Sequence, residues 1–89
     1  MRVVIHGRVQ GVGFRYSAHA KAKSLGLRGW VRNRHDGAVE AEFEGEETDL
    51  ANMRIWCGTG PAFAKVVEVD EHWESGPPKY HDFKVRSSV

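Results

Sequence analysis

An α+β sandwich, with one antiparallel sheet carrying both helices on one face, is the fold class that this 89-residue sequence predicts. Three observations carry the prediction. Apolar residues switch along the chain between a period of two and a helical period. The switches run in the order strand, helix, strand, strand, helix, strand, with a short extra strand at the C-terminal end. Right-handed crossovers leave few other ways to wind that order.

The first strand is read from Val3, Ile5, Gly7 and Val9, which alternate with Val4, His6 and Arg8. Gln10-Gly11-Val12-Gly13 is too glycine-rich to continue it and reads as a loop. Phe14, Ala18, Ala22 and Leu25 then recur at helical intervals among good helix formers, and Gly26 is the stop. Gly29-Trp30-Val31-Arg32-Asn33 is the second strand, and Asp36-Gly37 is a hairpin signal. Val39, Ala41 and Phe43 alternate with Glu40, Glu42 and Glu44, which predicts a third strand with one acidic face.

Leu50, Met53 and Cys57 share one face of a second helix, with Asp49 near its positive end and Gly58 at its stop. Gly58-Thr59-Gly60-Pro61 is a loop. Val66, Val67 and Val69 open a fourth strand running towards Trp73. After the Ser75-Gly76-Pro77-Pro78 turn, Tyr80 to Arg86 alternates as the final strand. This is the split βαβ, ferredoxin-like (βαββαβ) plan, expected as a single domain over residues 1–89.

Composition narrows the function classes. Hydrophobic residues at 40% and charged residues at 28% suit a globular chain and argue against disorder. Apolar stretches such as Val3-Val4-Ile5 fall far short of the roughly 20 residues that span a bilayer, so no membrane role is expected. Cys57 is the only cysteine, which excludes an internal disulfide and a cysteine-built zinc site; it is expected to be a small buried hydrophobe in a cytoplasmic protein. The five histidines are scattered and show no metal-ligand spacing. Trp30, Trp56 and Trp73 are expected to pack in the core or on the sheet.

The formal net charge of +1 hides an asymmetry. Residues 1–35 carry eight basic side chains and no acidic one, whereas residues 36–89 carry five basic and twelve acidic. A basic half implies an anionic partner, or pairing between the halves on folding. The ferredoxin-like sheet can stack RNA bases, so a non-catalytic anion-binding or RNA-binding module is the alternative to an enzyme. Glu40, Glu42 and Glu44 on an outward face, and the lack of an aromatic RNA motif, argue against nucleic acid.

The candidate site is the first strand-to-helix turn. Gly11 and Gly13, two apart before a helix, let successive backbone N–H groups converge on one anion. Arg15 in the first helical turn adds a planar two-pronged donor. No glycine precedes a lysine as a P-loop requires, and Tyr16 stands where the dinucleotide fingerprint needs its third glycine. Neither ATP nor NAD is indicated.

Gly7-Arg8-Val9-Gln10-Gly11-Val12-Gly13-Phe14-Arg15 resembles the signature of the acylphosphatases. Gly29-Trp30-Val31-Arg32-Asn33, followed by Asp36-Gly37 and Val39-Glu40, resembles the family's second signature, and Gly60-Pro61 and the strand through Phe83 are similar too. The resemblance covers essentially the whole chain. One departure is Trp56-Cys57, where aliphatic packing is expected. The resemblance implies hydrolysis of small acyl phosphates to a carboxylate and inorganic phosphate, without metal or cofactor. It implies that Arg15 binds the phosphoryl group and Asn33 holds the attacking water, with the backbone of Gln10, Gly11, Val12, Gly13, Phe14 and Arg15 around the phosphate. Inorganic phosphate is expected as product and inhibitor, and the protein as a monomer. Asn33 ends the second strand, which lies beside the first in some arrangements of this fold; whether it faces the loop is a question for the structure.

Overall fold

A computed structural model describes residues 1–89. The elements are β1 (Arg2–Arg8), α1 (Phe14–Ser24), β2 (Arg28–Asn33), β3 (Val39–Glu44), α2 (Glu47–Cys57), β4 (Lys65–His72) and β5 (Phe83–Val85). They form a five-stranded sheet in the order β4-β1-β3-β2-β5. The predicted two-layer α+β plan is the one observed.

Four strands pair antiparallel, as expected, but β5 adds to β2 in parallel, so the sheet is mixed. The reason is topological. β4 lies on one edge and ends level with the start of β2, so the chain must cross the end of the sheet to reach the far edge. That crossing also shortens the last strand. The N–H groups of Lys79 and Tyr80 donate to the Glu44 carboxylate at 2.7 and 3.0 Å instead of to a strand. The strand expected from Tyr80 therefore begins at Phe83. Beyond β5 the chain still follows β2: Arg86 N–H donates to Val31 C=O, and Val89 N–H to Asn33 C=O.

Val3, Ile5, Val31, Ala41 and Phe43 face inward from the sheet and meet Phe14, Ala18, Ala22, Met53 and Cys57 from the helices. Phe43 stacks on Phe83 with ring centroids 5.3 Å apart. Burial pushes the Cys57 thiol up to about 12, so it stays a protonated core residue. Trp56, half-buried, packs on Phe14 at 5.3 Å, which absorbs the unusual Trp56-Cys57 pair without loss of packing.

Two glycines set backbone features that the apolar pattern does not show. Gly26 (φ +69) follows α1, and Leu27 N–H donates back to Ala22 C=O at 2.9 Å, so the predicted stop closes as a paired turn. Gly7 (φ +126) faces a bulge where β4 contributes Val67 as an unmatched residue. A Cβ on Gly7 would run into the Lys65 carbonyl oxygen. The bulge also explains why Val67 is exposed in an otherwise regular strand.

The outer sheet face differs from the expected free acidic row. Glu40 is only 2% exposed and lies between Arg2 and Arg32; Arg32 donates to its carboxylate at 2.7 and 2.9 Å. Glu42 accepts from Tyr80 and Lys79. The basic and acidic halves of the sequence thus pair in part with each other. Burial pushes the Glu40 carboxyl up, but the hydrogen bonds from Arg2 and Arg32 outweigh it and hold it below the usual carboxylate range. A lowered folded value stabilises the protein above the unfolded value and loses that contribution as pH falls through the folded one. Urea unfolding at pH 7 and pH 3 should therefore show a smaller acid-induced loss of stability in Glu40→Gln than in the wild type. Equal losses in the two proteins would contradict the assignment.

Candidate active site

β1 and β2 run parallel to each other with β3 between them, so their C-terminal ends lie at one end of the sheet. Thus β2 does not lie beside β1, and the register shows how Asn33 nonetheless reaches the loop end. Ile5, Val39 and Asn33 form one row across β1, β3 and β2. Beyond that row, β1 continues to Arg8 and hands over to the loop, while the 34–38 hairpin closes β2 onto β3.

A side chain joins the two. Gln10 Nε2 donates to Arg34 C=O at 2.7 Å and to Ala38 C=O at 2.9 Å. The loop is thereby tied across the hairpin, one residue beyond Asn33. Sequence reasoning used only the backbone of Gln10 and missed this clasp, because its two acceptors are 24 and 28 residues away. The hairpin is a three-residue His35-Asp36-Gly37 turn, with Arg34 N–H donating to Ala38 C=O at 2.8 Å and Gly37 at φ +93.

The loop geometry is that of an anion nest. Gly11 and Gly13 have φ +73 and +78, values that side-chain-bearing residues adopt at a cost. Open space surrounds both positions where a Cβ would sit. None of the N–H groups from Gln10 to Tyr16 donates to a carbonyl or side chain of the protein, and α1 has no side-chain cap. Phe14 anchors this helix start. Its ring is 2% exposed and lies against Gly60 (φ +66), where any Cβ would collide with it. That contact is the physical use of Gly60-Pro61.

Arg15 is half-buried in the first turn of α1 and takes part in none of the ion pairs or side-chain hydrogen bonds. The acidic residue next along the chain, Asp36, pairs with Arg34 at 2.7 Å instead. Asn33 is also half-buried, and its side-chain amide has no partner within the protein. The residues predicted from sequence, Gln10 to Arg15 and Asn33, are thus placed at one end of the sheet. His6, His19, His35, His72 and His81 do not gather with acidic or cysteine side chains into a group of three or more that could hold a metal ion.

The acylphosphatase family model matches residues 1–85. The chain belongs to the acylphosphatase family. It is 48% identical over 83 residues to an acylphosphatase of Roseiflexus sp. (strain RS-1), covering 93% of this chain and 89% of that one. It is 55% identical over 75 residues to one of Acaryochloris marina, covering 84% and 81%. Among solved structures, the acylphosphatase from Bacillus subtilis superposes with a TM-score of 0.92 at 38% identity, covering 96% of this chain and 94% of that chain. Acylphosphatases hydrolyse the carboxyl-phosphate anhydride, so the substrate is an acyl phosphate and the products are a carboxylate and inorganic phosphate.

The outer face offers little to the alternative of an RNA-binding sheet. Trp30 is 5% exposed, with Arg32 and Arg86 over its ring at 4.5 and 5.2 Å and its Nε1 donating to the Tyr80 hydroxyl. Base stacking needs an open aromatic face, and this one is covered.

The Gln10 clasp carries a prediction of its own. Gln10→Ala removes two hydrogen bonds of about 1 kcal/mol each, so thermal unfolding should move down by roughly 8–16 °C. At 25 °C, where the variant is still folded, acyl phosphate hydrolysis should fall through a raised KM. An unchanged KM would show that the loop holds its shape without the hairpin.

Proposed function

We propose that this acylphosphatase works without a metal, holding the phosphoryl group in the backbone nest of Gln10, Gly11, Val12, Gly13, Phe14 and Arg15. The observation that carries the reading is the run of N–H groups from Gln10 to Tyr16 without partners, beside an arginine that no carboxylate neutralises. A transferring phosphoryl group spreads charge over three oxygens, so fixed donors and positioning supply most of its stabilisation. Arg15 adds a two-pronged, permanently charged donor to those oxygens.

Asn33 orients the attacking water. An amide does not titrate, so it holds the water by hydrogen bonds and removes no proton. The water oxygen bonds to phosphorus as the bond from phosphorus to the acyl oxygen breaks, and the carboxylate leaves with that electron pair. Its conjugate acid has a pKa near 4, so no general acid is needed. The proton of the water passes to a phosphate oxygen of the substrate itself.

In this reading residues 1–89 act as one monomeric domain in the cytoplasm, on small acyl phosphates, with neither nucleic acid nor membrane as partner. The buried thiol of Cys57 is compatible with a reducing compartment, and no helix is long and apolar enough to cross a membrane. The test is hydrolysis of benzoyl and acetyl phosphate with EDTA present. Turnover should persist, with inorganic phosphate inhibiting competitively. Activity that disappears with EDTA and returns with a divalent cation would overturn the metal-free mechanism.

A further inference from the structure

We propose that Phe63 contacts the acyl group and sets the preference among acyl phosphates; the proposal rests on the phosphoryl group occupying the loop of residues 10–15. Phe63 is 80% exposed, the second most exposed large hydrophobic side chain after Val67. It lies in the Pro61–Ala64 turn, closed by Ala64 N–H donating to Pro61 C=O at 3.0 Å.

That turn is fixed at the site end of the sheet from both sides. On one side Gly60 abuts the ring of Phe14, the first residue of α1. On the other, Lys65 pairs with Arg8, the last residue of β1. Phe14 and Arg8 are the two residues from which the loop between β1 and α1 springs. The turn bearing Phe63 is therefore a neighbour of the nest at both of its roots.

The substrate's connectivity makes this position matter. The acyl carbon is joined to phosphorus through a single oxygen, so a phosphoryl group seated in the nest leaves the acyl group over its rim. The opposite rim is the His35-Asp36-Gly37 hairpin, which is polar. Phe63 is the exposed large apolar side chain of that turn. Tyr16 is also exposed, but it follows Phe14 by two residues, about 200° round the helix, and so faces away from this turn. A flat ring at the rim suits a large, aromatic acyl group and does little for a methyl.

The test compares kcat/KM for benzoyl phosphate and acetyl phosphate in the wild type, Phe63→Leu and Phe63→Ser. An aromatic pair contributes about threefold to tenfold in an equilibrium or rate ratio. Phe63→Ser should lose about that factor on benzoyl phosphate and stay within about twofold on acetyl phosphate, with an unchanged inhibition constant for inorganic phosphate. Phe63→Leu should fall between. Because the ring is so exposed, unfolding of either variant should match the wild type. Parallel losses on both substrates, or no loss on benzoyl phosphate, would overturn the role of Phe63 alone. A wild type that phosphate does not inhibit would instead remove the phosphoryl site on which the proposal rests.

Discussion

Arg15→Ala is expected to lose both phosphate affinity and turnover, by about 10²- to 10⁴-fold in kcat/KM. The size follows from two charge-assisted hydrogen bonds at roughly 1.5–3 kcal/mol each, with each 1.4 kcal/mol a factor of about ten. Arg15 is half-buried and unpaired, so its removal breaks no ion pair and exposes no core. Unfolding of the variant in urea should accordingly match the wild type within about 0.5 kcal/mol. Arg15→Lys keeps the charge but not the planar fork, so it should recover only part of the phosphate affinity. A wild-type inhibition constant for phosphate in Arg15→Ala would show that the backbone nest binds alone. A large loss of stability would show that Arg15 is structural.

How much of this was legible in the sequence depends on the range of the interactions concerned. Val3 and Ile5 declared β1 because each strand residue reports its own face through its polarity, and Gly26 ended α1 because one left-handed residue is needed there. The loop before α1 was legible for the same reason: Gly11 and Gly13, both at positive φ, are local. The strand expected from Tyr80 was not, because the N–H groups of Lys79 and Tyr80 are taken by Glu44, a carboxylate more than 30 residues earlier. Glu40 looked like an exposed member of an acidic row by alternation alone. Its burial comes from Arg2 and Arg32 on two other strands, which only the sheet order brings to its sides. The same holds for the site: the loop and Asn33 were each readable, but what ties one to the other is the Gln10 side chain crossing to the hairpin.

Asn33→Ala should separate water positioning from phosphate binding. The backbone of Asn33 is held by the ladder, opposite Val39 and with its carbonyl accepting from Val89 N–H at 3.1 Å, so truncating the side chain leaves the strand in place. The side-chain amide has no partner within the protein, which frees it to hold a water. Misplacing a reactant by about 1 Å costs on the order of 10²-fold in rate, and kcat should fall by about that factor. The inhibition constant for inorganic phosphate should stay within about twofold, because the nest and Arg15 are untouched. Asn33→Asp gives the sharper contrast. It keeps the size but replaces the N–H donors with a second acceptor oxygen and places a negative charge beside the phosphoryl group. That variant should lose phosphate affinity as well as rate. If Asn33→Ala weakened phosphate binding as much as Arg15→Ala does, Asn33 would be part of the phosphate cradle and the water would need another partner.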